Sequence, residues 1–218
     1  MSRVEGHAVG AKAAIDLVET CVERKIQELT LYALSVENMT RDQKEVKFIT
    51  NLLISTLTEK QKSLQENGVR VRVIGNRELF DQGVQDVISF VEQTTKKNTT
   101  LNLNIAFNYS GKWQIKKALE YANKQSSENN EKLFQHFEEY LKRDICSDPD
   151  LLIRTGGEKR LSNFMLWHLA YTELFFSDIM WPDFSSSSLD EILDAYHQRE
   201  RRFGQVIEEC QESMKEVG

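Results

Sequence analysis

Hydrophobic residues recur along this chain at two alternating spacings, one typical of helices and the other of buried strands. Apolar positions three or four residues apart predict helices, whereas short continuous apolar runs bounded by turn residues predict strands. The predicted helices span residues 7–23, 40–65, 82–95, 114–123, 131–142 and 188–212, and the predicted strands span residues 28–34, 69–74, 101–107 and 151–153. Residues 173–176 fit either state, and we predict a strand because a short run rich in aromatic residues favours one.

Local signals predict where some of these helices begin and end. Thr40 with Gln43, and Ser188 with Glu191, have the spacing of capping boxes, so each pair predicts a helix N-terminus. Asn67-Gly68 is typical of a helix C-terminus. The polar stretch 126–130 predicts a solvated loop.

Strands that alternate with helices of ten or more residues predict an α/β fold. We expect a single domain over residues 1–218, with a mostly parallel central sheet and helices on both faces. Ligands of such folds bind beyond the carboxyl ends of the strands. Polar residues follow four of the predicted strands, at 35–38, 75–77, 108–113 and 154–162. Serine and asparagine are also common turn formers, so these clusters are compatible with turns that have no further function.

The segment after the strand at 151–153 contains a cluster of candidate ligand-binding residues. Arg154 ends the strand, Arg160 lies on the following loop, and Ser162 stands where an N-cap would precede a helix at 164–171. Arginine pairs bidentately with phosphate oxygens, and a helix N-terminus offers unpaired N–H groups. This pattern predicts a diphosphate seat.

An alternative reading of the same residues remains open. Both arginines could be surface side chains, paired with Glu158 or Asp150. Spacing alone does not separate this alternative from the diphosphate seat.

Composition narrows the class of protein. The chain has 218 residues, 40% of them hydrophobic, with a net charge of -6 and a pI near 5.4. An acidic chain without a Lys/Arg stripe predicts no nucleic-acid partner. Without a transmembrane-length apolar run or a signal peptide, a cytoplasmic location is expected. Isolated Cys21, Cys146 and Cys210 predict reduced thiols, and the four histidines have no zinc-ligand spacing.

Several long motifs resemble the cis-prenyltransferase family, which includes the undecaprenyl diphosphate synthases. The resemblance covers nearly the whole chain and implies the condensation of isopentenyl diphosphate with an allylic, farnesyl-type diphosphate in the presence of Mg²⁺. It rests on the run from Asp150 to Phe164, Trp181-Pro-Asp-Phe184, Arg199-Glu-Arg-Arg-Phe-Gly204, Ser35-Val-Glu-Asn38, Asn104-Ile-Ala-Phe-Asn-Tyr109, and Arg3 with Gly6-His7.

The resemblance also implies roles for individual residues. Arg154, Arg160, Leu161 and Ser162 would bind isopentenyl diphosphate, and Glu173 would help to bind magnesium. Without the family, Glu173 would be read as an acid that merely ends an apolar segment. Asn38 would assist proton removal, a role that rests on the resemblance alone because an amide is a poor base. Other substrate contacts would come from Arg3, His7, Ser35, Val36, Glu37, Met39 and Arg41.

A hydrocarbon product needs an apolar hole, and the helix at 40–65 is apolar around more of its circumference than one buried stripe requires. One face of this helix could line a prenyl tunnel, with Phe107 near it. Packing of the helix against both the sheet and a neighbouring helix is an equal alternative. The apolar positions are Val46, Phe48, Ile49, Leu52, Leu53, Ile54 and Leu57.

The resemblance further implies a homodimer and association with the inner face of the membrane through the lipid product. The apolar residues Phe175, Phe176, Ile179, Met180 and Trp181 would support the dimer, and the segment 202–204 would reach the partner's site.

The chain departs from the family pattern at four places. Met39 replaces the usual Trp, and Ser110 and Lys112 replace Gly and Arg, all of which we expect to be tolerated. The family's opening strand with its Asp-Gly-Asn loop has no counterpart, so we expect a chain shortened at its N-terminus that elongates poorly by itself. Two functions are therefore considered: a prenyl-elongating enzyme, and a non-catalytic subunit that supports an active partner.

Overall fold

Strands and helices alternate along the part of the chain that the computed structural model describes, residues 3–126, 130–145 and 147–199. The helices are α1 (Arg3–Glu23), α2 (Gln43–Glu66), α3 (Gln82–Thr95), α4 (Gly111–Gln125), α5 (Asn130–Asp144) and α6 (Ser186–His197). The strands are β1 (Glu28–Ser35), β2 (Val69–Ile74), β3 (Leu101–Tyr109), β4 (Leu151–Arg154) and β5 (Glu173–Phe176). The predicted α/β class is confirmed, and the strand at 173–176 forms as predicted.

The strands pair in parallel but lie in two sheets. One sheet has the order β1-β3-β2, and the other contains β4 and β5. Side chains join β1 to the segment that follows β4: the ring of Tyr32 on β1 stacks on that of Phe164 with centroids 4.5 Å apart. The Tyr32 hydroxyl also donates a hydrogen bond to the Ser162 carbonyl oxygen (3.4 Å). The sheet that was predicted to be continuous is therefore divided between β1 and β4.

Both faces of the three-stranded sheet are covered, one by helices and the other by β4 and the turns that follow it. Odd-numbered β2 and β3 residues such as Val71 and Leu103 are buried against α1, α2, α3 and α6. Alternate residues face the other side, where Ile74 and Ala106 pack with Tyr109 and Met165. Packing on both faces explains why eight of the nine β3 residues are buried, including Asn104 and Asn108.

Two predicted helix caps are wrong by a few residues. Asp42, not Thr40, caps α2, because its carboxylate accepts a hydrogen bond from the Lys44 N–H (2.7 Å). Thr40 ends a short 3₁₀ helix, and its hydroxyl bonds back to the Glu37 carbonyl (2.8 Å). At α6 the cap is Ser185, which accepts a hydrogen bond from the N–H of buried Ser188 (3.3 Å).

The helix predicted at 164–171 is replaced by a series of turns. Ser162, Asn163 and Met165 have positive φ angles of 49°, 62° and 41°, which a right-handed helix does not accommodate. Ser162 is therefore not an N-cap, and no helix N-terminus completes the predicted diphosphate seat. The predicted extension of the last helix beyond residue 199 lies outside the described residues.

A glycine at the end of β2 lets two loops meet at the carboxyl edge of the sheet. Gly75 has φ of 135°, and a Cβ there would lie 2.1 Å from the Phe107 carbonyl oxygen. The close approach allows the Asn76 N–H to bond the Asn108 carbonyl (2.9 Å). The loops after β2 and β3 are therefore fixed side by side.

Candidate active site

The loop after β1 is held in a defined shape by its own side chains. The Ser35 N–H donates to the Asn38 side-chain oxygen (3.3 Å), and the Asn38 N–H donates to the Ser35 hydroxyl (3.1 Å). Backbone contact continues to β3, because the Val36 N–H bonds the Tyr109 carbonyl (3.1 Å). Ser35 is buried, and half-buried Met39 packs against the main core, as expected for a tolerated replacement.

Asn163 connects this loop to two others. Its amide group donates to Glu37 (2.7 Å), and its amide oxygen accepts from the Lys112 N–H (2.9 Å). The Asn163 carbonyl also accepts from the Gly111 N–H (2.6 Å). A Cβ on Gly111 would lie 2.8 Å from the Leu166 nitrogen, so the close contact requires glycine.

These contacts keep Glu37 ionised. Burial acts to raise the pKa of Glu37, but hydrogen bonds, first among them the one from Asn163, outweigh it and lower the pKa. The charge of Lys112 acts in the same direction. A carboxylate with a lowered pKa is a weak base, so Glu37 is better suited to holding loops together than to removing a proton.

The predicted diphosphate-binding residues differ in their surroundings. The Nε atom of Arg154 is buried and has no hydrogen-bond partner among the described residues. Arg160 is exposed and pairs with Glu158, which is the alternative that its spacing allowed. Leu161, next to Ser162 in the chain, is half-buried and packs against the core cluster that contains Tyr109 and Met165. Only Arg154 therefore presents a buried, unpaired donor at the carboxyl edge of its strand.

The glycine pair after Arg154 is fixed by hydrogen bonds. The Gly156 N–H donates to the Ile179 carbonyl (2.8 Å), and the Gly157 N–H donates to the Ser177 carbonyl (2.9 Å). The Ser177 N–H in turn bonds the Arg154 carbonyl (2.8 Å). This ladder extends the β4–β5 pairing and holds Arg154 at its end.

Two further predicted residues meet on α2. His7 Nε2 lies 3.2 Å from a Glu45 carboxylate oxygen, and Arg41 Nη1 lies 3.0 Å from the same oxygen. His7 also lines the apolar cavity described next. The side chain of Arg3 lies outside the described part of the chain.

An apolar cavity of about 520 Å³ lies between α1, α2 and the sheet. Both helices begin at the carboxyl edge of the sheet, and the cavity follows them for about 25 Å at roughly 1.5 Å per residue. Tyr32 lines the cavity and also bonds Ser162, so it lies between the cavity and the loop after β4. The lining includes Ala11, Ala14, Val18, Ile49, Leu52, Leu53, Thr56, Leu57 and Phe107.

The structure does not bring Glu173 to this edge. Glu173 begins β5 and is in register with Leu151, whereas Arg154 is in register with Phe176. Three residues of strand, about 10 Å at ~3.3 Å per residue, therefore separate them along the strands. Glu173 instead pairs with Arg199 (2.5 Å).

The described residues do not form a magnesium site by themselves. Among residues 3–126, 130–145 and 147–199, no three Asp, Glu, His or Cys side chains are grouped as metal ligands. Mg²⁺ prefers several oxygen ligands in octahedral geometry, and Glu173 alone does not supply them.

Sequence patterns gave no role to Asn163, Glu45 or Tyr32. Glu45 follows Arg41 by four residues, a spacing that indicates a pair on one helix face. Asn163 follows Ser162, and asparagine tolerates positive φ, which is a weak sign of the turn found there. Tyr32 gave no signal, because its contacts come from residues 109 and 162.

Comparisons with known proteins agree with this geometry. Residues 1–204 match the sequence model of a family described as putative undecaprenyl diphosphate synthase. The chain is 42% identical to an isoprenyl transferase of Nitrosomonas europaea, covering 96% of this chain and 80% of the relative. It is also 42% identical to a ditrans,polycis-undecaprenyl-diphosphate synthase, specific for (2E,6E)-farnesyl diphosphate, of Coxiella burnetii, covering 97% and 91%.

Solved structures give the same result. A probable undecaprenyl diphosphate synthase of Campylobacter jejuni aligns with a TM-score of 0.78 and 35% identity, covering 90% of this chain and 92% of that one. Lavandulyl diphosphate synthase of Lavandula x intermedia, solved with dimethylallyl diphosphate, aligns with a TM-score of 0.86 and 30% identity, covering 94% and 90%. None of these four relatives is named as a non-catalytic subunit.

Proposed function

The chain belongs to the cis-prenyltransferase family of enzymes, and we propose that it condenses isopentenyl diphosphate with a farnesyl-type allylic diphosphate to give a cis-polyprenyl diphosphate of undecaprenyl type. In this reaction the allylic carbon forms a bond to the double bond of isopentenyl diphosphate, and the diphosphate of the allylic substrate departs. The isopentenyl unit keeps its own diphosphate. A proton is then lost from the isopentenyl unit.

The observation that carries the proposal is the position of Tyr32 between two unlike surfaces. On one side lies the apolar cavity; on the other lie Ser162 and Arg154. Burial raises the pKa of Tyr32, and the positive charge of Arg154 acts in the opposite direction. A prenyl diphosphate has a matching division into a hydrocarbon tail and a charged head group. The buried, unpaired Nε of Arg154 is a donor that a diphosphate oxygen would satisfy.

The residues at the carboxyl ends of the strands would act mainly by holding the two substrates in position and by pairing with their diphosphate charges. Arg154 would bind isopentenyl diphosphate, with Ser162 and Leu161 at its side, and would hold the acceptor in place for attack. The resemblance gives Asn38 the role of assisting proton loss, and its exchange of hydrogen bonds with Ser35 fixes where it stands. His7 and Arg41, joined through Glu45, would approach the allylic diphosphate at the mouth of the cavity.

Calorimetric titration of isopentenyl diphosphate tests the proposal. Arg154→Ala should weaken binding by about 1.5–3 kcal/mol, the usual contribution of a charge-assisted hydrogen bond. Arg160→Ala should cost less, because Arg160 is exposed and paired with Glu158. Arg24→Ala, which removes a remote arginine paired with Asp190, is the matched control and should leave binding unchanged. Equal affinity of Arg154→Ala and the unaltered chain would show that the seat lies elsewhere.

The dependence on magnesium is proposed from the family resemblance alone. The same titration with and without Mg²⁺ tests it, and we expect tighter binding of isopentenyl diphosphate when Mg²⁺ is present. The assignment of Glu173 to the metal is tested in the same way with Glu173→Gln. Removing the Glu173 carboxylate should reduce the increase in isopentenyl diphosphate affinity that Mg²⁺ gives. The affinity measured without Mg²⁺ should not change.

We propose a homodimer in which exposed residues of β5 form part of the contact. Leu174 and Phe176 are 39% and 38% exposed on this edge strand, and Met180 is 61% exposed beside it. Trp181 is not available for the contact, because its indole N–H bonds the Gly10 carbonyl (2.9 Å). The proposed approach of residues 202–204 to the partner's site lies outside the described residues.

The proposed location is the cytoplasm, with the lipid product held at the inner face of the membrane. Within the described residues, no helix is both long enough and apolar enough to cross a bilayer.

A further inference from the structure

The hydroxyl of Tyr32 extends from β1 to the ends of two other strands. It lies 3.1 Å from the Tyr109 carbonyl oxygen and 3.4 Å from the Ser162 carbonyl oxygen. The Tyr109 carbonyl also accepts the Val36 N–H (3.1 Å), and Val36 belongs to the loop that carries Asn38. One hydroxyl therefore connects the end of β3, the loop after β1 and the loop after β4.

The ring of Tyr32 is held by its neighbours independently of the hydroxyl. It stacks on the ring of Phe164 with centroids 4.5 Å apart, and it meets the ring of Tyr109 edge-on at 6.2 Å. The ring also lines the apolar cavity. Because packing fixes the ring, it also fixes the point from which the hydroxyl donates.

The Tyr32 hydroxyl keeps its proton at neutral pH. Burial raises the pKa of Tyr32 to about 12, and the charge of Glu37 acts in the same direction. A hydrogen bond with Ser35 and the charge of Arg154 act in the opposite direction. A neutral phenol donates a hydrogen bond but is poorly matched to proton removal, so its contribution is geometric.

The loops that Tyr32 connects need side chains to hold them in register. They follow β1 and β4, which lie in different sheets, so within the described residues no strand pairing sets the distance between Asn38 and Ser162. Asn163 provides one connection, through its amide group and Glu37 (2.7 Å). Tyr32 provides a second connection, beside the cavity. Two separate contacts fix an orientation, whereas a single contact leaves the loops free to rotate about it.

We propose that Tyr32 is a positioning residue for the condensation, and that its hydroxyl sets the distance between Asn38 and the isopentenyl diphosphate held at Arg154 and Ser162. This inference rests on the proposed function and adds a residue to which the sequence motifs give no role. The rate of a reaction between two bound substrates depends steeply on their relative position, whereas the affinity for each substrate depends on its own contacts. Loss of the hydroxyl should therefore lower the rate of elongation and leave both affinities nearly unchanged.

Tyr32→Phe tests the proposal, because phenylalanine keeps the ring, its stacking on Phe164 and the wall of the cavity. Single-turnover elongation is followed with radiolabelled isopentenyl diphosphate and Mg²⁺, with the chain in excess over farnesyl diphosphate. Calorimetry measures the affinity for each substrate separately. The matched control is Tyr121→Phe, which removes a hydroxyl on α4 about 15 Å along the helix from Gly111, at roughly 1.5 Å per residue.

The elongation rate of Tyr32→Phe should fall by about 10²-fold, the usual effect of a small misplacement, while both affinities stay close to those of the unaltered chain. Tyr121→Phe should match the unaltered chain in rate and in both affinities. An unchanged rate in Tyr32→Phe would overturn the proposal and leave the proposed function intact. A loss of affinity large enough to account for the whole loss of rate would also overturn it, because Tyr32 would then be a substrate contact.

Hydrogen exchange gives a second readout that needs no activity. The Phe164 N–H bonds the Leu161 carbonyl across Ser162 (3.1 Å), so its exchange rate reports how firmly this turn is held. Exchange at Phe164 should be faster in Tyr32→Phe than in the unaltered chain, and Tyr121→Phe should not change it. Equal exchange in Tyr32→Phe and the unaltered chain would overturn the proposal whatever the rates. If the unaltered chain forms no product, the proposed function is wrong, and the exchange still decides whether the hydroxyl holds the turn.

Discussion

Asn163 shows how one side chain can fix the relative positions of three loops. It holds Glu37 after β1 and the Lys112 N–H at the start of α4, and it is itself part of the loop after β4. Each loop comes from a different strand end, so no local interaction could fix them together. Its left-handed backbone, with φ of 62°, directs both side-chain contacts.

Asn163→Ala should raise the pKa of Glu37, because the hydrogen bond that does most to lower it is lost. Ionised Glu37 contributes stability above its unfolded-state pKa and loses it as the pH falls through the lower, folded-state pKa. In the variant the folded-state pKa lies closer to the unfolded-state value, so this stability contribution should be smaller and its loss should be complete at a higher pH. NMR titration of the Glu37 carboxyl carbon, with urea unfolding at several pH values, measures both effects.

Asn163→Gly is the matched control, because it loses the same contacts but accepts positive φ. Both variants should shift the Glu37 titration, and Asn163→Ala should be the less stable by about 1 kcal/mol because alanine is strained in the left-handed region. An unshifted Glu37 titration in both variants would contradict the assigned role of Asn163.

At the scale of elements, the long helix α2 combines two functions. Its first turn carries Glu45, which binds His7 and Arg41, and its middle lines the apolar cavity with Leu52, Leu53 and Thr56. Where this helix begins therefore determines which residues reach the site. Asp42 sets that point, because it satisfies an N–H group that the helix itself leaves unpaired.

Asp42→Ala should destabilise the fold by about 0.5–2 kcal/mol through loss of the N-cap. Thr40→Ala is the control, and it should cost less, because the Thr40 hydroxyl bonds only within its own exposed 3₁₀ turn. Urea unfolding of the two variants measures the difference. A larger loss for Thr40→Ala would place the start of α2 at the capping box that the sequence pattern indicates.

At the scale of the molecule, the apolar cavity extends from the carboxyl edge of the sheet toward its opposite edge. Its walls come from α1, α2, β1 and β3, so it exists only when these elements pack together. The polar residues Lys60, Ser63 and Asn67 line the end far from His7. A chain growing from the edge would thus lie along α2, reaching Thr56 after Leu52.

Thr56→Trp should weaken binding of long polyprenyl diphosphates while leaving isopentenyl diphosphate binding unchanged, because the indole would fill the middle of the cavity. Thr58→Trp, on an exposed position of the same helix, is the control and should change neither. Calorimetry with prenyl diphosphates of increasing length would show the length at which Thr56→Trp first binds more weakly than the unaltered chain. Equal binding of every length by Thr56→Trp would exclude the cavity as the prenyl site.

The homodimer can be tested at the same scale. Light scattering at micromolar concentration should give twice the 25.3 kDa mass of the chain. Phe176→Lys should reduce the mass to that of one chain, because it places a charge in the proposed contact. Phe90→Lys alters an aromatic residue on α3 that is more exposed, at 60%, and should leave the dimer intact. A single-chain mass for the unaltered protein would rule the dimer out.

Apart from the helix predicted at 164–171, the sequence by itself determined the elements and their order, because the spacing of apolar residues is set by the geometry of each helix or strand. It also placed Ser35–Asn38 and Arg154 at strand ends, and parallel strands bring such ends to one edge. The motifs that resemble the family predicted the family to which the comparisons assign the chain. The Arg160–Glu158 contact, one of two alternatives at the sequence level, is equally local, since the partners lie two positions apart in the chain.

Only the tertiary structure decided how these pieces meet. Ser162 is not a helix cap, because the contacts of Asn163 with Gly111, Lys112 and Glu37 fix a left-handed turn there. Glu173 lies away from Arg154, because the register of β5 against β4 places it three residues along the strand. Such contacts join residues distant in the chain, and their geometry depends on the packing of whole elements, which no local spacing records.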